Sequence, residues 1–261
     1  MTNSKRGAPA RQFGTGRVVF WRGGSLWIGQ VADETGFHAH HAIQVTLCLS
    51  GGAVRLRSPG EGWNAYPAAI VAAHQSHAFE ARGELVALVF VEPESLEGRA
   101  IRKRYPKGVT PLDTEPCALQ AAGLASLYAQ QADDHELAAH ARAVIKSLSP
   151  VDRTPVGPLD KRIAQAIDIL HLRLAETIPM SEIAEAVHLS PERFRHLFLQ
   201  ETGIRFRPYV LWLRLEAAVA LYGAGSNLTE ASHAGGFADS AHFSRTFKRM
   251  FGVNAIGVQR A

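Results

Sequence analysis

GGFADSAHFSRTFKRMFG, Gly235–Gly252, decides how the second half of the chain folds. At about 100° per residue, a helix through it gathers Phe243, Phe247, Met250 and Phe251 on one side and Ala241, His242, Arg245, Lys248 and Arg249 on the other. The first side is a core face; the second offers cations to a partner. FRHLFLQETG (Phe194–Gly203) has the same spacing as FSRTFKRMFG (Phe243–Gly252): Phe, three residues, Phe, four residues, Gly. Each follows a short amphipathic segment and a turn, MSEIAEAVHLSPER (Met180–Arg193) and LTEASHAGGFADSAH (Leu228–His242). Ser181 and Thr229, each followed by Glu, are the expected caps of the leading helices. Two short helices meeting at a tight turn form a helix-turn-helix, and the pattern occurs twice. Between the copies, RPYVLWLRLEAAVALYG (Arg207–Gly223) has no breaker after Pro208 and reads as a rigid connecting helix. With both second helices in the major groove on one side of a duplex, they would lie roughly 34 Å apart.

On these residues, Leu159 to Arg260 resembles the DNA-binding domain of the AraC/XylS family of transcription regulators. The sequence departs from that family at His188, where a turn glycine is common, and in the tail FGVNAIGVQR, which lacks the usual Pro and Tyr. Histidine tolerates positive φ better than most residues. The resemblance implies that Glu192, Arg195 and His196 in the first unit, and Ser240, His242, Ser244 and Arg245 in the second, face base edges. Arginine can grip guanine O6 and N7, glutamate can accept from cytosine N4, and serine suits several edges. Arg193, Lys248 and Arg249 are better placed for phosphate.

From Arg17 to about Val91, short apolar or alternating runs such as RVVFW, SLWIGQVA, IQVTLCLSGG and LVALVFV predict a small antiparallel barrel or sandwich. Within it, FHAHHAIQVTLCLSGG (Phe37–Gly52) puts His38, His40 and Gln44 on one strand face and His41 on the other. AAHQSHAFE (Ala72–Glu80) adds His74 and His77. His-x-His, a Gln where metal-binding members usually carry Glu, and the later His77 together resemble a cupin barrel. That resemblance implies an effector pocket lined by His38, His40, Gln44 and His77. Three imidazoles and an amide oxygen suit a divalent transition metal such as Zn, Ni, Fe, Mn or Cu. The same pocket equally suits an organic effector held by hydrogen bonds, so no cofactor is demanded.

Leu119, Leu124 and Leu127, then Leu137, Ala141, Val144 and Leu148, predict two helices joined near Asp133 and Asp134, covering the barrel or a second subunit. The Pro- and Gly-containing SPVDRTPVGP (Ser149–Pro158) reads as a linker. The basic run IRKRYPKG (Ile101–Gly108) reads as solvated surface. The expected fold is therefore α+β in two domains. Residues 1–148 form a cupin-like β-barrel with two following helices, 149–157 a linker, and 158–261 an all-α double helix-turn-helix.

The net charge of +4 permits a nucleic-acid partner without locating it, because 15 basic against 13 acidic residues precede the linker and 13 against 11 follow Pro150. No apolar run approaches a membrane span or a signal peptide, so a cytoplasmic protein without a membrane partner is expected. Cys48 and Cys117 form neither a disulfide framework nor a metal-binding pair. These features point to a non-enzymatic, sequence-specific regulator that binds double-stranded promoter DNA under control of a small molecule or metal. A homodimer and contact with RNA polymerase are candidate associations. The alternative is a metal-dependent cupin enzyme, a dioxygenase or isomerase, with an accessory helical domain.

Overall fold

A computed structural model describes residues 14–112, 114–149, 156–255 and 258–260. Most of the linker expected at 149–157 lies outside the described residues. In the N-terminal part, β1 (Gly14–Trp21), β2 (Gly24–Val31), β3 (Ile43–Cys48), β6 (Ala68–Val71), β8 (Leu85–Val91), β9 (Val109–Pro111) and β10 (Val258–Arg260) form one sheet in the order β10-β1-β2-β8-β3-β6-β9. A second sheet holds β4 (Val54–Arg57), β5 (Asn64–Tyr66) and β7 (Ala78–Glu80) in the order β5-β4-β7. All ladders are antiparallel except that of β10, which returns from the C-terminus to pair in parallel with β1.

The two sheets are not joined into a closed ladder, so the expected barrel is an open pair of sheets. The reason lies in the large sheet's two apolar faces. Val19, Leu26, Ile28, Ala87, Val89 and Val91 share a core with Leu124, Leu137, Ala141 and Val144 of helices α2 (Thr114–Ala129) and α3 (Asp134–Leu148). On the other face, β3, β6 and part of β8 meet the small sheet through Val71, Val86, Leu56 and Phe79. The small sheet has only three strands and leaves Val18, Phe20, Trp27, Leu88 and Phe90 to the C-terminal helices. A sheet buried on both faces needs nearly continuous apolar strands, as in LVALVFV, whereas IQVTLC buries Gln44 and Thr46 on one face, where the Gln44 amide donates to Thr46 Oγ1 at 2.9 Å.

Asp133 caps α3, accepting from Glu136 N at 2.8 Å, while the Glu136 carboxylate accepts from Asp133 N at 3.3 Å. The basic run begins inside an unexpected helix, α1 (Leu96–Arg104), capped by Ser95 and ending in Arg102, Lys103 and Arg104, where cations suit the negative helix end. Its Ile101 is buried, so the run is not solvated throughout.

The C-terminal part comprises α4 (Lys161–Leu172), α5 (Met180–Ala186), α6 (Pro191–Thr202), α7 (Phe206–Gly223), α8 (Leu228–Ala234) and α9 (Ser240–Phe251). Ser181 and Thr229 are not the caps. Pro179 precedes α5 without a side-chain cap bond, and Asn227 caps α8 by accepting from Glu230 N at 2.9 Å. Both helices start two residues earlier than the hydroxyl pattern suggests, which moves Ser181 and Thr229 inside the first turn. Among the described residues, no helix is long and apolar enough to cross a membrane.

Phe247 is buried against Trp27 of the large sheet, with ring centroids 6.2 Å apart, and against Phe251 at 4.9 Å. Phe247→Ala should cost roughly 3–5 kcal/mol, seen as a lower urea midpoint. An unchanged midpoint would show that this contact carries little of the fold.

Candidate functional site

Two helices expose polar arcs above aromatic anchors. Ser190 caps α6 by accepting from Arg193 N at 3.3 Å, and Pro191 occupies its first turn, where a missing N–H costs nothing. Phe194 and Phe198 are buried, while Glu192, Arg193, Arg195 and His196 are exposed. Glu192 lies 3.5 Å from Arg195 and 3.9 Å from His196, exposed pairs that cost little to rearrange on a partner. Asp239 caps α9, accepting from His242 N at 2.6 Å. Phe243, Phe247 and Phe251 are buried; Arg245, Lys248 and Arg249 are exposed; Ser240, His242 and Ser244 are half-buried. The His242 ring rests edge-on against Phe237, centroids 5.2 Å apart.

The two turns solve one backbone problem differently. His188 takes φ 56° in the first, and Gly236 takes φ 78° in the second. A Cβ at Gly236 would sit 2.5 Å from the Leu174 carbonyl oxygen, so the second turn admits only glycine.

The second site is a buried histidine centre. His38 and His77 pair through their backbones, His38 N donating to His77 O at 3.0 Å and His77 N to His38 O at 2.9 Å, which brings their rings to 4.2 Å. His40 lies two residues on, and Gln44 follows on β3 with its Oε1 3.1 Å from His40 Nε2. Nδ1 of His38, His40 and His77 donates to the carbonyls of Gly36, Ala42 and Gln75 at 2.9, 2.8 and 3.0 Å. These bonds leave Nε2 of His38 and His77 with a lone pair, whereas His40 has an oxygen at each nitrogen, Ala42 O at Nδ1 and Gln44 Oε1 at Nε2. One ligand atom from each of the three rings lies within 4.8 Å of the others, and His77 Nε2 is buried without a hydrogen-bond partner. Burial first, then neighbouring imidazoles, lower the pKa of His38 to about 4 and those of His40 and His77 to about 3. All three are therefore neutral near pH 7.

The lid of this centre belongs to the other half of the chain. Phe251 and Trp212 lie 6.1 and 6.3 Å from the His40 ring. Gly252 ends α9 at φ 73°, and its carbonyl accepts from Gly36 N at 3.1 Å. A Cβ there would stand 2.5 Å from Gly36 O and 2.8 Å from His38 Nδ1. The end of the second unit's exposed helix thus rests on the histidine centre.

Beside it, His41 Nε2 donates to Glu94 Oε2 at 2.9 Å and Tyr209 Oη donates to Glu94 Oε1 at 2.7 Å, all three buried. Burial pushes the Glu94 carboxyl upward, but the His41 charge and the two donors outweigh it and hold the acid below its usual range. Sequence reasoning missed Glu94 and Tyr209. Acids within apolar runs, as in VFVEPE, were the available signal, because a buried carboxylate needs partners.

Residues 183–261 match the family model described as a helix-turn-helix domain. The uncharacterized HTH-type transcriptional regulator YijO of Escherichia coli is 35% identical over 83 residues, 31% of this chain and 29% of that protein. The arabinose operon regulatory protein of Escherichia coli is 29% identical over 113 residues, 42% of this chain and 39% of that protein. The chain thus spans about a third of the length of the curated relatives it matches. ToxT from Vibrio cholerae O395 shares the fold of both parts, with a TM-score of 0.56 at 11% identity, covering 94% of this chain and 96% of ToxT. ToxT of strain SCE256 bound to an unsaturated fatty acid gives 0.53 at 12% identity, covering 88% and 91%. The C-terminal part is thus similar to the helix-turn-helix domains of known transcription regulators.

Proposed function

We propose that this protein is a sequence-specific DNA-binding transcription regulator whose N-terminal domain responds to an effector. The observation that carries this reading is the double duty of α9. Its outer arc presents Arg245, Lys248 and Arg249, while its inner stripe and terminal Gly252 pack on the sheet and on the histidine centre. One rigid helix thereby joins a nucleic-acid face to a ligand-competent centre. In this reading residues 1–148 sense, 149–157 link and 158–261 read DNA. Glu192, Arg195, His196, Ser240, His242, Ser244 and Arg245 face base edges, and Arg193, Lys248 and Arg249 hold phosphate. Most apolar residues of α2 and α3 pack on the sheet, but Leu119, expected on the covering face, is 73% exposed and available to a homodimer.

The effector at His38, His40, His77 and Gln44 is a divalent transition metal. The residues fit one. Carbonyls fix each Nδ1–H, burial keeps the rings neutral, and an orphaned His77 Nε2 faces its neighbours within ligand range. Rings 4.2 to 5.8 Å apart beneath Phe251 and Trp212 suit an ion better than an organic molecule. A bound ion acts on DNA affinity only as far as it prefers one placement of α9 over another.

Arg245→Ala should weaken binding to the cognate operator by about 1–3 kcal/mol with little effect on random DNA, whereas Lys248→Ala weakens both alike; titrations on both DNAs measure this. Equal losses for Arg245→Ala would remove it from base reading. Metal analysis of untagged protein should find stoichiometric metal, with operator affinity changing on chelation. The paired variant His38→Ala, His40→Ala should keep operator binding and lose the metal response. An unchanged response would reject the metal effector.

The imidazoles also set an acid limit for metal-free protein. Unfolded, they bind protons below about pH 6.5; folded, they do not until about pH 4 or 3. Their contribution is therefore complete above about pH 6.5 and is lost as pH falls, by up to about 1.4 kcal/mol per pH unit for each ring. Urea unfolding in chelator at about pH 7 and about pH 5 should show this loss, and His77→Gln should make it shallower.

A further inference from the structure

A cavity of about 500 Å³ lies at the interface of the two parts, between β1, the segment following β8, α4 and α7. Its walls include the apolar groups of Phe20, Trp21, Leu172 and Leu213, and it also holds Glu92 and Glu216. The volume falls within the roughly 300–1,000 Å³ of ordinary ligand pockets. Among the described residues, neither carboxyl has a hydrogen-bond or ion-pair partner from the protein. The neighbouring Glu94 is already satisfied by His41 and Tyr209, and the rim cation Arg22 is paired with Asp168. Two half-buried acids facing one cavity whose lining cation is already paired are costly unless protonated or matched by a ligand. Burial first, then Glu94, raises Glu92 to about 8, with Arg22 pulling weakly the other way. Burial, then Glu92 and Glu94, drives Glu216 well above the usual range.

We propose that this cavity binds an organic cation, an amine or guanidinium on an apolar body, with its charge on Glu92 and Glu216 and its body against Phe20, Trp21 and Leu213. Aromatic faces beside the two acids reinforce the choice of a cation. Leu172, 85% exposed, supplies an apolar lip at the mouth. The site is separate from the histidine centre. It draws residues from both parts of the chain, so an occupant contacts both β1 and α7.

The inference does not rest on the DNA-binding reading, and its test does not use DNA. Phenethylamine, phenylethanol, phenylacetate and oleate, each titrated into the full-length protein by calorimetry, separate charge from bulk. Saturable binding of phenethylamine, with phenylethanol and phenylacetate at least about tenfold weaker, is expected, as is at least about tenfold weaker amine binding in Glu216→Gln and Glu92→Gln. Both variants copy the protonated acid in shape, so circular dichroism should find them folded. Absence of saturable phenethylamine binding at millimolar concentration would overturn the inference. So would preference for phenylacetate or oleate, or unchanged amine binding in both folded variants.

Discussion

The ring of Trp27 lies 5.6 Å from Phe90, 6.2 Å from Phe247 and 4.7 Å from Phe251, and the placement of the exposed helix depends on that contact. Side chains alternate along β2, so Trp27 faces the C-terminal helices while Leu26 and Ile28 face α2 and α3. The register that sets Trp27 opposite Val18 and Leu88 permits no slip: one residue either way would drive the indole into the wrong core. α9 is equally constrained. Turning it by one residue would lift Phe247 off Trp27 and press a cation against apolar surface, leaving a buried charge unpaired. Sheet register on one side of the interface therefore sets helix rotation on the other.

The histidine centre and the carboxyl cavity lie on the same interface and solve burial differently. The imidazoles are neutral, and His38 and His77 each spend the N–H on a carbonyl, so they enter an apolar core at modest cost and keep a lone pair for a ligand. Glu94 keeps its charge because His41 and Tyr209 donate to it. Among the described residues, Glu92 and Glu216 have neither solution. Packing thus separates a neutral donor set from an acidic one, although both lie near α7.

Much of this was legible in the sequence because helical period and aromatic spacing are local. The repeated Phe-x3-Phe-x4-Gly placed α6 and α9, both ending in left-handed glycines, Gly203 and Gly252. The x-His-x-His pattern carried His38 and His40, although the segment is irregular chain with a single bridge to His77 rather than a regular strand. What stayed hidden depends on distant partners. Nothing local to Val258–Arg260 announces a strand, which forms only because β1 has a free edge. Barrel closure depends on what covers the second face of the large sheet, and a strand's own alternation does not say whether that cover is another sheet or a helical domain. Glu94 reads as a loop acid until Tyr209, 115 residues away, is brought onto it.

Tyr209, Trp212, Leu213, Glu216 and Ala220 fall at spacings of three and four along α7 and so form one stripe. That stripe touches all three polar features of the interface: Tyr209 donates to Glu94, Trp212 covers His40, and Glu216 enters the cavity. The opposite side of α7 is closely packed in the helical part, where a Cβ at Gly235 would come within 2.7 Å of Ala218 Cβ. An unbroken helix between the two helix-turn-helix units does not readily change their separation, because lengthening or bending it would break backbone hydrogen bonds. A ligand acting on the stripe therefore moves both units together relative to the sheet. Couplings of this kind are typically about 1–3 kcal/mol, close to the value of one or two interface contacts. Under the proposed effector control, Gly252 on Gly36 and Tyr209 on Glu94 are the contacts whose making or breaking would distinguish two orientations of the helical part.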